Sequence, residues 1–372
     1  MAGNGPYQID VFDVSDLDEI GWPNAADDST WSLFVFQSRE FLKVWFETIG
    51  AARESEAHLV VVRNVAGEAV FYLPLCLERR FGVKILRFPD GGVSDYCAPI
   101  VRPGSVLEPR VFRGLWQQIL AAIPEADLIH LRNLPDRIID TPNPLLALGL
   151  GMPQGLGSYI SVNGGWQVYS REPARQAVLS QAAKKLRKLM RHQAVTFQQA
   201  SLATCSDWID FILEQKRRQY LRTLGEDVIA LPGHEAFFRR MAAPEQLGCI
   251  STLDCLLVGN EIAAGHLGYA TGRRSYYILT ATNYDVFAKY SLGTSLFSHL
   301  VQQSLSRSKE IYDLGIGIEP YKDVWATDRY ALYSYVKPLT LKGRLATSAF
   351  TLKHSPLTQV MRRLRARPGL AC

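Results

Sequence analysis

The sequence predicts an α/β protein of two similar domains, each with a mixed, mostly antiparallel sheet flanked by helices. Its 372 residues exceed the usual size of a single hydrophobic core, so two domains are expected. In both halves a strand, a Gly-containing turn and a second strand follow one another, at 58–77 and at 255–268. A helix and a further strand come next in each half, which indicates a degenerate internal duplication.

The first half is the less complete of the two. Its helix, two strands, second helix and third strand are predicted in order at 38–49, 58–63, 69–77, 109–123 and 127–131. No glycine turn leads into the second helix, which starts at Pro109. This half is therefore expected to serve structure or acceptor binding. Asp95 and Tyr96 follow a glycine pair and are its candidate contacts to the acceptor.

The second half has a clearer pattern of elements. Its two helices and three meandering strands are predicted at 206–223, 234–243, 250–258, 261–269 and 274–281. Tight-turn dipeptides, Gly259-Asn260 and Thr271-Gly272, join the strands. The Gly/Pro-rich segment Asn143–Gly165 separates the halves. We expect domains at 1–155 and 156–350, followed by a basic tail at 351–372.

The stretch from Lys289 to Lys322 is the most informative part of the chain. A small-residue turn, Ser291–Ser295, runs into a helix with apolar residues at helical spacing. A strand at 311–314 and a Gly-X-Gly loop follow. Because the first N–H groups of a helix lack internal partners, this turn suits an anion such as the pyrophosphate of a nucleotide-like cofactor. The alternative is an ordinary tight turn with Ser291 as N-cap.

Strands in meander, a glycine turn, a helix and another strand form the element order of the GNAT acyltransferases. The chain resembles their two-domain members of the CelD/BcsL type, found beside bacterial cellulose and exopolysaccharide genes and distantly related to FemAB ligases. The matching motifs are Gln37–Phe41, Trp45, Leu73–Leu75, Glu78–Arg80, Leu86–Phe88, Ser94–Tyr96, Lys185–Arg191, Ile262–Gly268, Tyr290–Gly293, Asp313–Gly317 and Tyr321–Trp325. The family usually has Pro where Leu292 stands.

This resemblance implies that acyl-CoA, as acetyl-CoA or a longer thioester, is the co-substrate. Its expected contacts lie on the strand before the turn and on the turn itself, at Leu279, Thr280, Ser291, Leu292, Gly293, Thr294 and Ser295. The acceptor is expected to be an amine or hydroxyl of a sugar, sugar nucleotide or amino-acid-like molecule. Two alternatives stay open: a FemAB-like ligase that takes its aminoacyl group from tRNA, and a non-catalytic partner of a polysaccharide synthase.

The candidate catalytic residues follow from what acyl transfer requires. His266, in mid-strand between small residues, is the candidate general base, with a structural histidine as the alternative. Asp313 could be the base, orient His266, fix the acceptor amine or form an Asx turn. Tyr321 is the candidate acid for the leaving thiolate. Lys322 suits an anionic acceptor or phosphate, and Asp285 could shape the acyl pocket.

Composition sets limits on partners and compartment. Apolar content of 47%, charged content of 21% and the absence of a long apolar run are typical of a cytoplasmic globular protein. Six cysteines without metal spacing predict reduced thiols and no metal site. The net charge of +5 includes a basic helix at 172–193, interpreted either as a solvated face or as a wall near the cofactor phosphates.

Nucleic acid and membrane partners have little surface to bind. One basic helix and a short tail do not favour DNA, and they offer less than a tRNA-binding protein would need, so the tRNA-dependent ligase stays an alternative that this surface does not favour. The run Arg362–Arg367 could touch an anionic membrane surface or be a frayed tail.

Overall fold

The computed structural model describes residues 7–105, 107–161, 165–307 and 309–353. The basic run Arg362–Arg367 lies outside these residues. The helices are α1 (Arg39–Trp45), α2 (Pro109–Ala122), α3 (Gly165–Tyr169), α4 (Pro173–Met190), α5 (Cys205–Leu224), α6 (His234–Met241), α7 (Tyr284–Phe287), α8 (Leu292–Ser306), α9 (Pro320–Trp325) and α10 (Leu341–Lys353).

The strands alternate with these helices along both halves of the chain. They are β1 (Tyr7–Phe12), β2 (Glu56–Asn64), β3 (Ala69–Arg80), β4 (Val83–Arg87), β5 (Ile100–Val101), β6 (Leu128–Pro135), β7 (Arg137–Ile138), β8 (Thr141–Pro142), β9 (Gly155–Ser161), β10 (Val195–Gln199), β11 (Ser251–Val258), β12 (Glu261–Ala270), β13 (Arg274–Thr282), β14 (Ile311–Ile316) and β15 (Asp328–Pro338).

One large sheet runs through both halves. Its order is β1-β2-β3-β4-β6-β15-β9-β14-β13-β12-β11-β10, with β5 paired to β3. Neighbours are antiparallel except for β4 with β6 and β13 with β14, which are parallel. Parallel neighbours need a crossover connection, and the chain supplies it with α2 in the first half and α8 in the second. The predicted mixed, mostly antiparallel sheet flanked by helices is thereby confirmed.

Two strands join the halves at the centre of this sheet. Strand β9 starts at the expected boundary between the halves and pairs with β14 of the second half. Strand β15, the last strand of the described residues, pairs with β9 through Asp328–Leu332 and with β6 of the first half through Leu332–Pro338. The expected boundary at residue 155 coincides with the start of β9, and the division into two domains stays a prediction.

In the first half, the segment Phe88–Ala98 follows β4 without forming a strand. We call it the crossing segment. It leaves β4 directly after the short parallel pairing of Ile85 and Leu86 with β6. Its apolar side chains are buried, and the Cys97 N–H donates to the Asn133 carbonyl at 2.9 Å. The segment is thus held against β6 of the first half, and it extends toward the second half.

Apolar packing holds the helices on the sheet. Alternating residues of the strands and one face of each long helix form two clusters of buried side chains, the smaller of them around α8, α9 and the adjoining strands. None of the described helices is both long and apolar enough to cross a membrane.

Candidate functional site

A cleft opens where β13 and β14 part. The two strands pair only over Arg274–Tyr276 and Ile311–Asp313. Beyond that point β13 continues to Thr282 with β12 on one side only, so its other edge faces the space between the strands. The resulting cleft has a volume of about 540 Å³ and is lined by both strands and by α5, α8 and α9. An open strand edge offers backbone N–H and C=O groups to an extended ligand.

The start of α8 lies at one side of this cleft. Ser291 precedes the helix with a φ of +56°, and Gly293 and Thr294 of the first turn line the cleft. A Cβ at Gly293 would lie 2.9 Å from the Thr282 hydroxyl oxygen, so a larger residue would crowd this approach. The N-terminal N–H groups and the helix dipole favour negative charge here.

The predicted cofactor contacts divide into two groups. Thr280, Gly293 and Thr294 line the cleft, whereas Leu279 and Leu292 are buried in the apolar core. Ser291 and Ser295 do not line the cleft; the Ser295 hydroxyl donates to the Ser291 carbonyl at 3.4 Å, and the Ser291 hydroxyl accepts a hydrogen bond from α4.

A lysine of the basic helix α4 reaches the same turn. Lys185 Nζ donates to the Ser291 hydroxyl oxygen at 2.9 Å. Its neighbours Lys184, Arg187 and Lys188 are exposed. The three exposed cations therefore fit the interpretation of a solvated face. Lys185 lies at the turn, where the other interpretation expects a cation.

Asp95 reaches the cleft from the first half. The crossing segment carries it to the wall beside Gly315, whose φ is +73° and where a Cβ would collide with the Asp95 carboxylate. Burial, together with the nearby negative charge of Asp313, raises the pKa of Asp95 to about 7, against the opposing positive charge of Lys322. A carboxyl group with this pKa can exchange protons near neutral pH.

Tyr96 and Asp313 lie behind the cleft in a hydrogen-bonded cluster. The Tyr96 hydroxyl and the Gly315 N–H donate to Asp313 Oδ1 at 2.8 and 2.9 Å. Arg274 Nη1 donates to Asp313 Oδ2 at 2.7 Å, and its Nη2 donates to the Tyr330 hydroxyl at 2.8 Å. Both Asp313 oxygens have partners and the residue is fully buried. The geometry therefore corrects two expectations: Tyr96 does not face the acceptor, and Asp313 is not free to act as a base.

Lys322 lines the cleft, but its charge is engaged. The side chain is buried, and Nζ donates to the carbonyls of Gly315 and Ile316 at 3.3 and 2.6 Å. It also pairs with Glu319 at 2.9 Å. Lys322 thus holds the Gly-X-Gly loop in place, which leaves it less free for the anionic ligand expected from the sequence.

Tyr321 lies in the wall of the cleft. Its side chain is 37% exposed and packs edge-on against Phe297, with ring centroids 6.1 Å apart. Desolvation raises the pKa of the phenol above its usual value, with the ring of Tyr277 and the charge of Glu319 adding to the effect. The hydroxyl therefore stays protonated at neutral pH.

His266 lies in a separate cavity. The side chain is 2% exposed and lines a space of about 60 Å³ beneath α8, apart from the cleft. Its ring stacks on Tyr277 at 4.8 Å, and Nδ1 lies 4.0 Å from Asp254 Oδ2. His266 is thus not among the residues that could contact an acceptor in the cleft, and its predicted role as base lacks a geometric support.

Asp285 also lies apart from the cleft. It is exposed and forms an ion pair with Arg218 at 3.5 Å, whereas its neighbour Tyr284 lines the cleft. The expected acyl-pocket role therefore fits Tyr284 better than Asp285.

One face of α5 supplies cleft residues that sequence reasoning missed. Lys216, Gln219 and Tyr220, spaced i, i+3 and i+4, line the cleft. Desolvation lowers the pKa of Lys216 to about 8, although the charge of Glu319 opposes the shift. Helical periodicity groups these residues, but the run Lys216-Arg217-Arg218 contains no sign of which cation faces inward.

The described residues contain no group of three or more His, Cys, Asp or Glu that could hold a metal ion.

Comparison with known proteins finds a family similarity in the second half of the chain. Residues 176–323 match the family profile described as an acetyltransferase (GNAT) domain. This range contains α5 to α8, β10 to β14 and most of the cleft. This part of the chain is therefore similar to a GNAT acetyltransferase domain. No curated protein sequence matches the chain.

Solved structures share the fold of nearly the whole chain. FemX has a TM-score of 0.56 at 11% identity, covering 92% of this chain and 99% of that chain. The C-terminal domain of a protein described as a lysylphosphatidylglycerol synthetase, from Agrobacterium fabrum, has a TM-score of 0.54 at 12% identity, covering 91% and 96%. At such identities the likeness concerns the fold alone.

Proposed function

We propose that the protein is an acyl-CoA-dependent N- or O-acyltransferase whose co-substrate lies in the cleft between β13 and β14. The observation that carries the proposal is the parting of these strands directly beside the start of α8, within the residues that match the GNAT domain. An open strand edge, a cleft of about 540 Å³ and a helix N-terminus fit an extended ligand with an anionic end.

Acyl-CoA would supply an activated thioester carbonyl. The residues suited to hold it are the open edge of β13 at 277–282, the N–H groups of Gly293 and Thr294, and the Lys185 ammonium beside the turn. Asp95 is suited to accept the proton of the acceptor amine or hydroxyl because its pKa is about 7. Tyr321 is suited to donate a proton from its phenol to the thiolate that leaves the thioester. Lys322 and Asp313 keep the Gly-X-Gly loop in position behind Asp95.

The acceptor is proposed to be a sugar, a sugar nucleotide or an amino-acid-like molecule of polysaccharide or cell-envelope biosynthesis. This part of the proposal draws on the sequence resemblance to the CelD/BcsL type. Asp95 and the α5 face lie at the cleft wall and offer polar groups to such a molecule.

The test incubates purified full-length protein with labelled acetyl-CoA and a mixture of candidate acceptors, and in parallel with aminoacylated tRNA. Transfer from acetyl-CoA, together with a rise in melting temperature caused by CoA, is the expected result. Transfer only from tRNA would instead establish the aminoacyl ligase. A protein that binds neither donor would correspond to the non-catalytic partner.

A further inference from the structure

Lys216 is a cation at the cleft wall without a matching anion. It extends from α5 into the cleft, and its only hydrogen bond among the described residues runs from Nζ to Gln219 Oε1 at 3.0 Å. No carboxylate of the described residues forms an ion pair with it. Glu319, the acidic residue whose charge influences Lys216, is itself paired with Lys322 at 2.9 Å.

The positive charge of Lys216 is therefore not balanced by a paired carboxylate of the described residues. Desolvation lowers the pKa of Lys216 to about 8, so the group is still mostly charged at neutral pH. Lys216 is half-buried, and besides Gln219 its ammonium has the ring of Tyr220, whose centroid lies 5.5 Å from Nζ. A partly desolvated charge without an anionic partner costs free energy. A ligand anion would remove that cost, and a binding site with this arrangement favours an anionic molecule over its neutral counterpart.

The position of Lys216 indicates that its ligand is the acceptor and not the co-substrate. Lys185 and the first turn of α8 provide the cationic end of the cleft at Ser291. Lys216 lies instead on the α5 face with Tyr220, and the negative charge of Asp95 acts on Tyr220. The ammonium therefore belongs to the part of the cleft that contains the proposed base.

We infer that Lys216 recognises an anionic group of the acceptor, so that the acceptor carries a carboxylate or phosphate beside the amine or hydroxyl that faces Asp95. This inference rests on the proposed function and deepens it. It narrows the acceptors to amino-acid-like molecules and sugar phosphates or sugar nucleotides. Neutral sugars would lack the group that Lys216 binds.

The experiment uses matched pairs of compounds with full-length protein and acetyl-CoA. One pair is an α-amino acid and its amide, and the other is glucosamine 6-phosphate and glucosamine. Only one member of each pair carries the carboxylate or phosphate; we call it the charged compound, and we call the member without that anionic group the neutral compound. We expect the charged member of at least one pair to have a kcat/KM at least about 10-fold above its neutral counterpart. The pair that shows the difference tells carboxylate from phosphate.

Three variants assign the effect to Lys216. Lys216→Met should lower kcat/KM for the charged compound by about 10- to 100-fold and leave the neutral one within about 2-fold. Lys216→Arg should restore part of the loss. Arg222→Met, which removes an exposed charge of the same helix, should change neither value. Calorimetric titration of the charged compound without acetyl-CoA should show the same loss of affinity in Lys216→Met.

The inference would be overturned by turnover of neither charged compound, by equal use of both members of each pair by the wild type, or by an equal loss for both members in Lys216→Met. A loss of CoA affinity in Lys216→Met would also overturn it, because Lys216 would then hold the co-substrate. Failure of the wild type to bind CoA removes the proposed acyl-CoA function instead, and the calorimetric titration still tests Lys216.

Discussion

At the scale of single residues, the site depends on which side chain the backbone presents to the cleft. Asp95 and Tyr96 are adjacent, yet one lines the cleft and the other bonds to Asp313 in the core. The chain bends at Asp95, so the two neighbouring side chains leave the backbone in different directions. Sequence reasoning found both residues but could not assign their directions. It also selected His266 for its ordinary pKa range, which says nothing about which face of β12 it occupies.

Replacing Asp95 by Asn tests the proton acceptor. At sub-saturating acceptor the wild-type rate should rise with pH through about 7, the pKa of Asp95. Asp95→Asn should lower kcat/KM by about 100-fold or more and remove this rise, while CoA affinity stays unchanged. His266→Gln is the matched control and should retain most of the activity. The opposite pattern, a large loss in His266→Gln and a small one in Asp95→Asn, would return the role of base to the histidine.

The same substitution should change stability in a pH-dependent way. The pKa of Asp95 is about 7 when folded, above the ordinary value of an unfolded aspartate, so the unfolded chain loses this proton first as pH rises. Native stability from this group is therefore full below about pH 4 and is lost between there and about pH 7. Asp95→Asn should raise the free energy of unfolding by up to about 4 kcal/mol at pH 8 relative to its effect at pH 4. Denaturant titrations at both pH values measure the difference, and an equal effect at both would contradict the raised pKa.

At the scale of elements, the sequence was most informative where local signals agree. The meander of β11, β12 and β13 was predicted within one residue of its bounds, because alternation and turn dipeptides pointed to the same strands. The helix expected at 294–306 from its apolar spacing starts two residues earlier, at Leu292, so that most of the predicted turn is its first turn. The crossing segment and the pairing of β9 with β14 were not predicted. Both depend on contacts between residues far apart in the chain, which local patterns do not encode.

The turn at the start of α8 gives a prediction at this scale. Gly293→Val should abolish the rise in melting temperature that CoA produces, because the new side chain would meet the Thr282 hydroxyl and crowd the first turn of the helix. Gly114→Val is the matched control, since Gly114 lies in α2 with nothing within 4 Å of its Cβ position. It should carry the same cost of a β-branched residue in a helix and leave the CoA-induced shift intact. A full shift in Gly293→Val would show that CoA does not approach this turn.

At the scale of the whole molecule, one buried ion pair joins three parts of the sheet. Asp313 of β14 binds Arg274 of β13, Arg274 binds Tyr330 of β15, and Tyr96 of the first half binds Asp313. Gly157 of β9 has no room for a Cβ because the Tyr96 ring lies against it. The first half therefore supplies two consecutive residues to the site. Asp95 lines the cleft, and Tyr96 binds Asp313 behind it. Arg274 carried no signal in the sequence, since it starts the predicted strand directly after the similar Arg273.

Breaking this ion pair should destabilise both halves together. Asp313→Asn leaves Arg274 buried without its counter-charge and should lower the free energy of unfolding by about 3–5 kcal/mol. Tyr96→Phe should cost about 1–3 kcal/mol by removing one donor, and the double variant should cost less than the sum because both act on one carboxylate. Arg273→Met removes the neighbouring exposed pair with Glu310 and should cost less than about 1 kcal/mol. Since Tyr96 and Asp313 come from different halves, each variant should shift a single unfolding transition followed by tryptophan fluorescence. Two separate transitions, with only one of them moved, would show instead that the halves unfold independently and that the shared sheet does not couple them.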